Sequence, residues 1–135
     1  MNAVTHHPPP APIALIVDDD RDIRETLGQI MESEGYAVVG AADGRQALDH
    51  LAQAPMPASL ILLDIMMPGM NGVQFRVAQK ANPRWSEIPT IVMTAASVEQ
   101  IVAMGMLMDG AHYLRKPVAL LDLVGLVTCC CPVTR

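Results

Sequence analysis

Aromatic side chains are nearly missing from this chain, which has one Trp, two Tyr and one Phe in 135 residues. Any core must therefore be filled by aliphatic and methionine side chains. Hydrophobic residues still make up 51% and charged ones only 17%, which excludes a disordered chain and suits one compact domain. Cysteine is scarce, and its three copies, Cys129, Cys130 and Cys131, are consecutive. They form no spaced disulfide framework and no CxxC pair for zinc, and they read as a small apolar end to the last helix. A basic surplus is also lacking. The net charge of -5 excludes an electrostatic footprint for nucleic acid. No apolar run reaches the ~18 residues that a membrane span needs, and the best stretch, "VALLDLVGLVTCCC", is interrupted by Asp122. No basic start leads into an apolar stretch, so a cytoplasmic protein with reduced thiols is the expectation.

What is present is an ordered alternation. Residues 1–12, with four prolines and the pair His6 and His7, read as an extended solvated tail. "IALIVDDD" is a short aliphatic run ending in acids, the pattern of a buried parallel strand. Ile23, Leu27, Ile30 and Met31 then recur at helical spacing before Gly35. "YAVVGAAD", "LILLDI", "TIVMTA" and "HYLRKP" predict four more strands, separated by helices over 44–53, 73–81 and 97–110 and followed by one over 119–130. Five β-α units imply a doubly wound parallel sheet with helices on both faces, in one domain over 13–128 with a short tail at 129–135.

In such a sheet the ligand site lies beyond the carboxyl ends of the strands. The first strand ends in Asp18, Asp19 and Asp20, the third in Asp64, the fourth in Thr94, and the fifth in Lys116 followed by Pro117. Clustered carboxylates suit a hard cation such as Mg²⁺, with Mn²⁺ as a substitute. Lys116 adds a positive charge, Thr94 a hydrogen-bond donor, and a carboxylate such as Asp64 can act as a nucleophile toward phosphorus. Each piece alone has a plainer reading. Acids after a strand also cap helices, the role expected of Asp20, and an Asp or a Lys-Pro at a strand end is ordinary turn chemistry. The conjunction at successive strand ends points to a site.

These motifs, "LIVDDD", "LILLDIMMPGMNG", "PTIVMTA" and "YLRKP", resemble the receiver domain of two-component response regulators, as in single-domain chemotaxis regulators. The spacings fit: 45 residues from Asp19 to Asp64, 30 to Thr94 and 22 more to Lys116. The resemblance implies a flavodoxin-like five-stranded sheet of order 2-1-3-4-5. It implies that Asp64 accepts a phosphoryl group from a phosphohistidine on a sensor histidine kinase or histidine phosphotransfer protein. Asp19, Asp64 and the backbone carbonyl of Met66 would ligate Mg²⁺, and Asp18 would act on it through water. Thr94 and Lys116 would contact the phosphoryl oxygens, Tyr113 would be the aromatic switch, the Lys116-Pro117 bond would be cis, and Gly72 would turn the chain into the third helix. Beyond its own phosphorylation and slow dephosphorylation, no enzymatic turnover is expected. Signals would pass through protein contacts of the fourth helix, fifth strand and fifth helix, with no nucleic-acid or membrane partner.

Three departures sharpen the expectation. Gly110 and Ala111 stand one place closer to Tyr113 than in the family's usual GAxxY pattern. The fourth helix holds Ile101, Val102, Met104, Met106, Leu107 and Met108, which cannot all face the sheet. Adaptable methionines left outside would suit partner docking or a homodimer. Met66 and Ala96, each two positions after a site residue, cannot orient a hydrolytic water, so a long-lived phosphoryl state is expected. Two other classes remain in view. One is a phosphate-independent adaptor on the same fold. The other is an Asp-nucleophile phosphatase, which would want an acid where Met66 stands.

Overall fold

A computed structural model describes residues 11–67, 69–103 and 111–130. The chain alternates β1 (Ile13–Val17), α1 (Arg21–Ser33), β2 (Ala37–Ala41), α2 (Gly44–Gln53), β3 (Leu60–Asp64), α3 (Gly72–Ala81), β4 (Thr90–Thr94), α4 (Val98–Ala103), β5 (Ala111–Arg115) and α5 (Leu120–Cys130). All strand pairs are parallel, and the sheet order is β2-β1-β3-β4-β5. Of the helix expected over 97–110, α4 accounts for Val98–Ala103. Met104, Met106, Leu107, Met108 and Gly110 lie outside the described residues, as do His6, His7 and Cys131. Ile101 is buried and Val102 half-exposed.

The strand sequences explain the layering. β3 and β4 are buried at every position, whereas the edge strands β2 and β5 are only partly covered. Alternate residues point to opposite faces. Leu15, Val17, Ile61, Leu63 and Val92 meet α2 and α3 through Ala47, Leu51 and Phe75. Ala14, Ile16, Leu60, Leu62, Ile91 and Met93 meet α1 and α5 through Leu27, Met31, Leu123 and Val127. Each fully buried Leu or Ile stabilises by roughly 1.5–3 kcal/mol. A one-residue slip of β3 would exchange both sets at once, so the register is strongly fixed.

Local chemistry sets the helix ends. The Asp20 carboxylate accepts from the N–H groups of Asp22 and Ile23 at 2.9 and 3.2 Å, so Asp20 is the α1 cap. Asn71 and Gln74 form a reciprocal capping box on α3. At the other end of α1, Gly35 takes φ 95°. There Gly35 N–H donates to Glu32 O and Tyr36 N–H to Met31 O, both at 3.0 Å, a Schellman closure that buries Tyr36 beside Met31.

The buried stripe of α3 is Gly72, Phe75, Arg76 and Gln79, while Val77 faces solvent. Two of four core positions are thus polar. Arg76 Nη1 donates to Gln79 Oε1 and to Thr90 Oγ1, both at 2.8 Å. Gln79 Nε2 donates to the carbonyls of Trp85 and Ile88 at 3.0 and 3.3 Å. The network ties α3 to β4 and to the loop between them. Thr90→Val keeps the shape but removes the acceptor of a charged donor. It is expected to cost about 1–3 kcal/mol, read as a lower urea midpoint with an unchanged m-value.

Candidate functional site

The order in which the chain adds strands reverses between β1 and β3, and the crevice at such a switch lies past their carboxyl ends. Asp64 is the last residue of the central strand β3, and Asp18 follows β1 directly. Both are buried, while Asp19 is exposed. Carboxylate oxygens of Asp18, Asp19 and Asp64 lie within 4.8 Å of one another. The three adjacent acids of the sequence thus have three different environments: Asp18 in the core, Asp19 on the rim, Asp20 on the helix end.

Repulsion in this group is offset by one ammonium. Lys116 Nζ lies 3.1 Å from Asp18 Oδ2 and 3.4 Å from Asp64 Oδ2. Lys116 leaves the end of β5, where its N–H donates to Thr94 O at 2.8 Å, and the Lys116-Pro117 bond is cis. Asp64 Oδ1 also accepts from Met66 N–H at 3.2 Å. Burial first, then the charge of Asp18, push the Asp64 carboxyl up to about 6, against the opposing pull of Lys116 and the Met66 N–H. Burial alone would lower the Lys116 ammonium. Its hydrogen bond to Asp18 and the charges of Asp64 and Asp18 outweigh that and hold it above its usual value. The two directions agree once it is seen that one cation serves two buried carboxylates.

Thr94 is buried, and its Oγ1 accepts from Ala96 N–H at 3.0 Å, which leaves the hydroxyl proton available to a ligand. Met66 has a largely exposed side chain. Tyr113 pairs with Val92 in the sheet and packs half-buried against the core on the α2–α3 face. It is therefore not one of the groups gathered around the acids. Gly72 allows the chain after Asp64 to fold back, since its N–H donates to Ile65 O at 3.0 Å. A Cβ there would meet Asp64 O at 2.5 Å and Ile65 Cα at 2.8 Å, both backbone atoms.

The donor set fits a divalent cation: hard oxygens only, one acid exposed enough to exchange water, and more negative than positive charge. Beside the site a groove of about 590 Å³ runs between α1 and α5, lined by Ile23, Leu27, Ile30, Met93, Pro117 and Leu123. Sequence reasoning missed this groove, and it missed Arg24, whose Nη1 donates to Asp18 O at 2.7 Å. The available signal for Arg24 was its place beside Ile23 on the first turns of α1. Among the described residues, no helix is long and apolar enough to cross a membrane.

Because Asp64 holds its proton more tightly folded than unfolded, its contribution is intact below about pH 4 and is lost as pH rises through about 6. In metal-free buffer at pH 7.5, Asp64→Asn should therefore be more stable than wild type by roughly 1–3 kcal/mol. The difference should close by pH 4, as thermal melts across that range will show.

The family model for the response regulator receiver domain matches residues 14–128. Among curated proteins, the chain is 39% identical over 103 residues to the transcriptional regulatory protein CpxR of Escherichia coli, covering 76% of this chain and 42% of that protein. It is 40% identical over 111 residues to the response regulator MprA of Mycolicibacterium vanbaalenii, covering 82% of this chain and 46% of that protein. The chain thus spans less than half the length of these curated relatives. Among solved structures, the chemotaxis protein CheY4 of Vibrio cholerae superposes with a TM-score of 0.79 at 26% identity, covering 90% of this chain and 99% of that one. The receiver domain of a signal transduction histidine kinase from Syntrophus aciditrophicus does so with a TM-score of 0.79 at 29% identity, covering 87% and 88%.

Proposed function

Since the chain belongs to the response regulator receiver domain family, we propose that it accepts a phosphoryl group from a partner phosphohistidine onto Asp64. The observation that carries the reading is the Lys116 ammonium poised within 3.4 Å of Asp64 and 3.1 Å of Asp18 at the end of the central strand. The donor is a sensor histidine kinase or a histidine phosphotransfer protein. An Asp64 oxygen attacks phosphorus, the P–N bond to the partner imidazole breaks as the P–O bond forms, and the imidazole takes up a proton. Lys116 moves its hydrogen bond from Asp64 to a phosphoryl oxygen, and the Thr94 hydroxyl donates to another. Asp19, Asp64 and the Met66 carbonyl would hold Mg²⁺ or Mn²⁺, with Asp18 acting through water. Such an ion would supply a hard positive charge, beside that of Lys116, to offset the phosphoryl oxygens.

Drawing Thr94 toward the phosphoryl group frees space into which Tyr113 turns, which biases an existing equilibrium between two arrangements of α4, β5 and α5. Output then passes by protein contact, to a downstream protein or a second copy through α4, in the cytoplasm. The apolar groove between α1 and α5 opens beside Lys116 and Pro117, where a phosphohistidine-bearing partner must approach.

Incubation with acetyl phosphate and Mg²⁺, followed by intact mass, tests the reading. The expected result is one hydroxylamine-labile phosphoryl group, absent in Asp64→Asn. No gain would indicate the phosphate-independent adaptor, and many turnovers the phosphatase.

The side chains of Met66 and Ala96 offer no hydrogen bond to a hydrolytic water. The purified phosphoprotein is therefore expected to decay over minutes to hours. Loss within seconds, followed by the same mass measurement, would contradict it.

A further inference from the structure

Every polar atom of Asp18 is engaged. Its N–H donates to Ala41 O at 3.0 Å. Oδ1 accepts from Asp20 N–H at 2.9 Å, and Oδ2 from Lys116 Nζ at 3.1 Å. The carbonyl is out of reach of the helix, because the first backbone bond of α1 runs from Arg24 N–H to Asp20 O at 3.0 Å. It is taken instead by Arg24 Nη1 at 2.7 Å, the shortest of these contacts and one made by a charged donor. Arg24 has no ion pair among the described residues, whereas its neighbour Arg21 pairs with Glu25 at 3.0 Å. Its stem lies along β2, where a Cβ on Gly40 would stand 3.6 Å from Arg24 Cδ.

The carbonyl oxygen of Asp18 belongs to the rigid peptide plane that joins Asp18 to Asp19. Fixing that plane fixes ψ of Asp18 and φ of Asp19, and with them the direction in which the Asp19 side chain leaves the loop. Asp19 needs this help. It is exposed, and no described residue hydrogen-bonds its carboxylate, yet that carboxylate comes within 4.8 Å of those of Asp18 and Asp64.

We propose that Arg24 is a positioning residue for cation binding, clamping the Asp18 carbonyl so that Asp19 is held facing Asp64. This rests on the divalent-cation reading above. A rival effect has the opposite sign: a guanidinium on the Asp18 carbonyl repels a nearby cation, so its removal would tighten binding. Positioning predicts weakening, because groups that orient metal ligands typically contribute about 10–100-fold in affinity.

Calorimetric titration of Mg²⁺ into the unphosphorylated protein separates the two. Arg24→Ala should raise the Mg²⁺ dissociation constant about tenfold, and its phosphorylation rate should return to the wild-type value at saturating Mg²⁺. Arg24→Gln keeps a donor without the charge and should stay within about twofold to threefold of wild type, since the clamp is what matters. It also carries the comparison if Arg24→Ala does not fold. An Arg24→Ala dissociation constant equal to or lower than that of wild type would overturn the proposal. So would a fall in melting temperature and maximal rate with Mg²⁺ affinity unchanged, the signature of a merely structural role. Wild-type protein that binds Mg²⁺ but takes up no phosphoryl group would sink the phosphoryl reading and leave the clamp standing. Wild type that binds no Mg²⁺ would sink both.

Discussion

The contact on which the site depends is one ammonium shared by two buried carboxylates. Asp18 and Asp64 end adjacent strands, β1 and β3, whereas Lys116 follows β5, two strands away from β3 in the sheet order. Its side chain must cross the end of β4 to reach them. The residues at and just after the end of β4, Thr94, Ala95 and Ala96, are short, which suits the passage of a four-carbon stem. The sheet order, the small residues after β4 and the length of lysine are therefore a single requirement. Without that ammonium, two carboxylates of an apolar sheet would stand close together out of water, an arrangement that costs several kcal/mol per charge in ordinary proteins.

The fold was legible because most of its signal is local. The aliphatic runs predict all five strands to within a residue or so, apart from acids that belong to the loops. The helix expected over 44–53 is α2, Gly44–Gln53. The acids, Thr94 and Lys116 were legible because a parallel sheet puts its strand ends on one rim. The polar core was not. In α3 the buried stripe runs through Arg76 and Gln79, whose partners are Thr90, Trp85 and Ile88. Those partners lie between 6 and 14 residues ahead, across a loop. A hydropathy pattern ranks Arg76 outside and Val77 inside, and the structure has them the other way round. Likewise the string "DDD" gives three equal residues, and only the path of the chain makes Asp18 a core group, Asp19 a rim group and Asp20 a cap.

The two faces of the sheet consequently differ in kind. The face under α1 and α5 is filled by aliphatic and methionine side chains with Tyr36 at its margin, and it can adjust by small repacking. The face under α2 and α3 carries directional hydrogen bonds from Arg76 and Gln79. Tyr113 packs against the core on this second face. Burial lowers the Arg76 pKa, and nearby Tyr113 opposes that shift.

Charge counting shows why these acids could accommodate a cation although Lys116 is already there. Asp18, Asp19 and Asp64 against one Lys116 leave two negative charges uncompensated when all are ionised. The protein relieves part of this by raising Asp64 to about 6, so that this carboxyl takes up a proton more readily than a free one. A divalent ion held among these acids would offset the same excess in full and would favour the ionised Asp64 carboxylate. A monovalent ion would leave half the excess. The same imbalance that costs the protein stability is thus what would suit the site to a small hard dication.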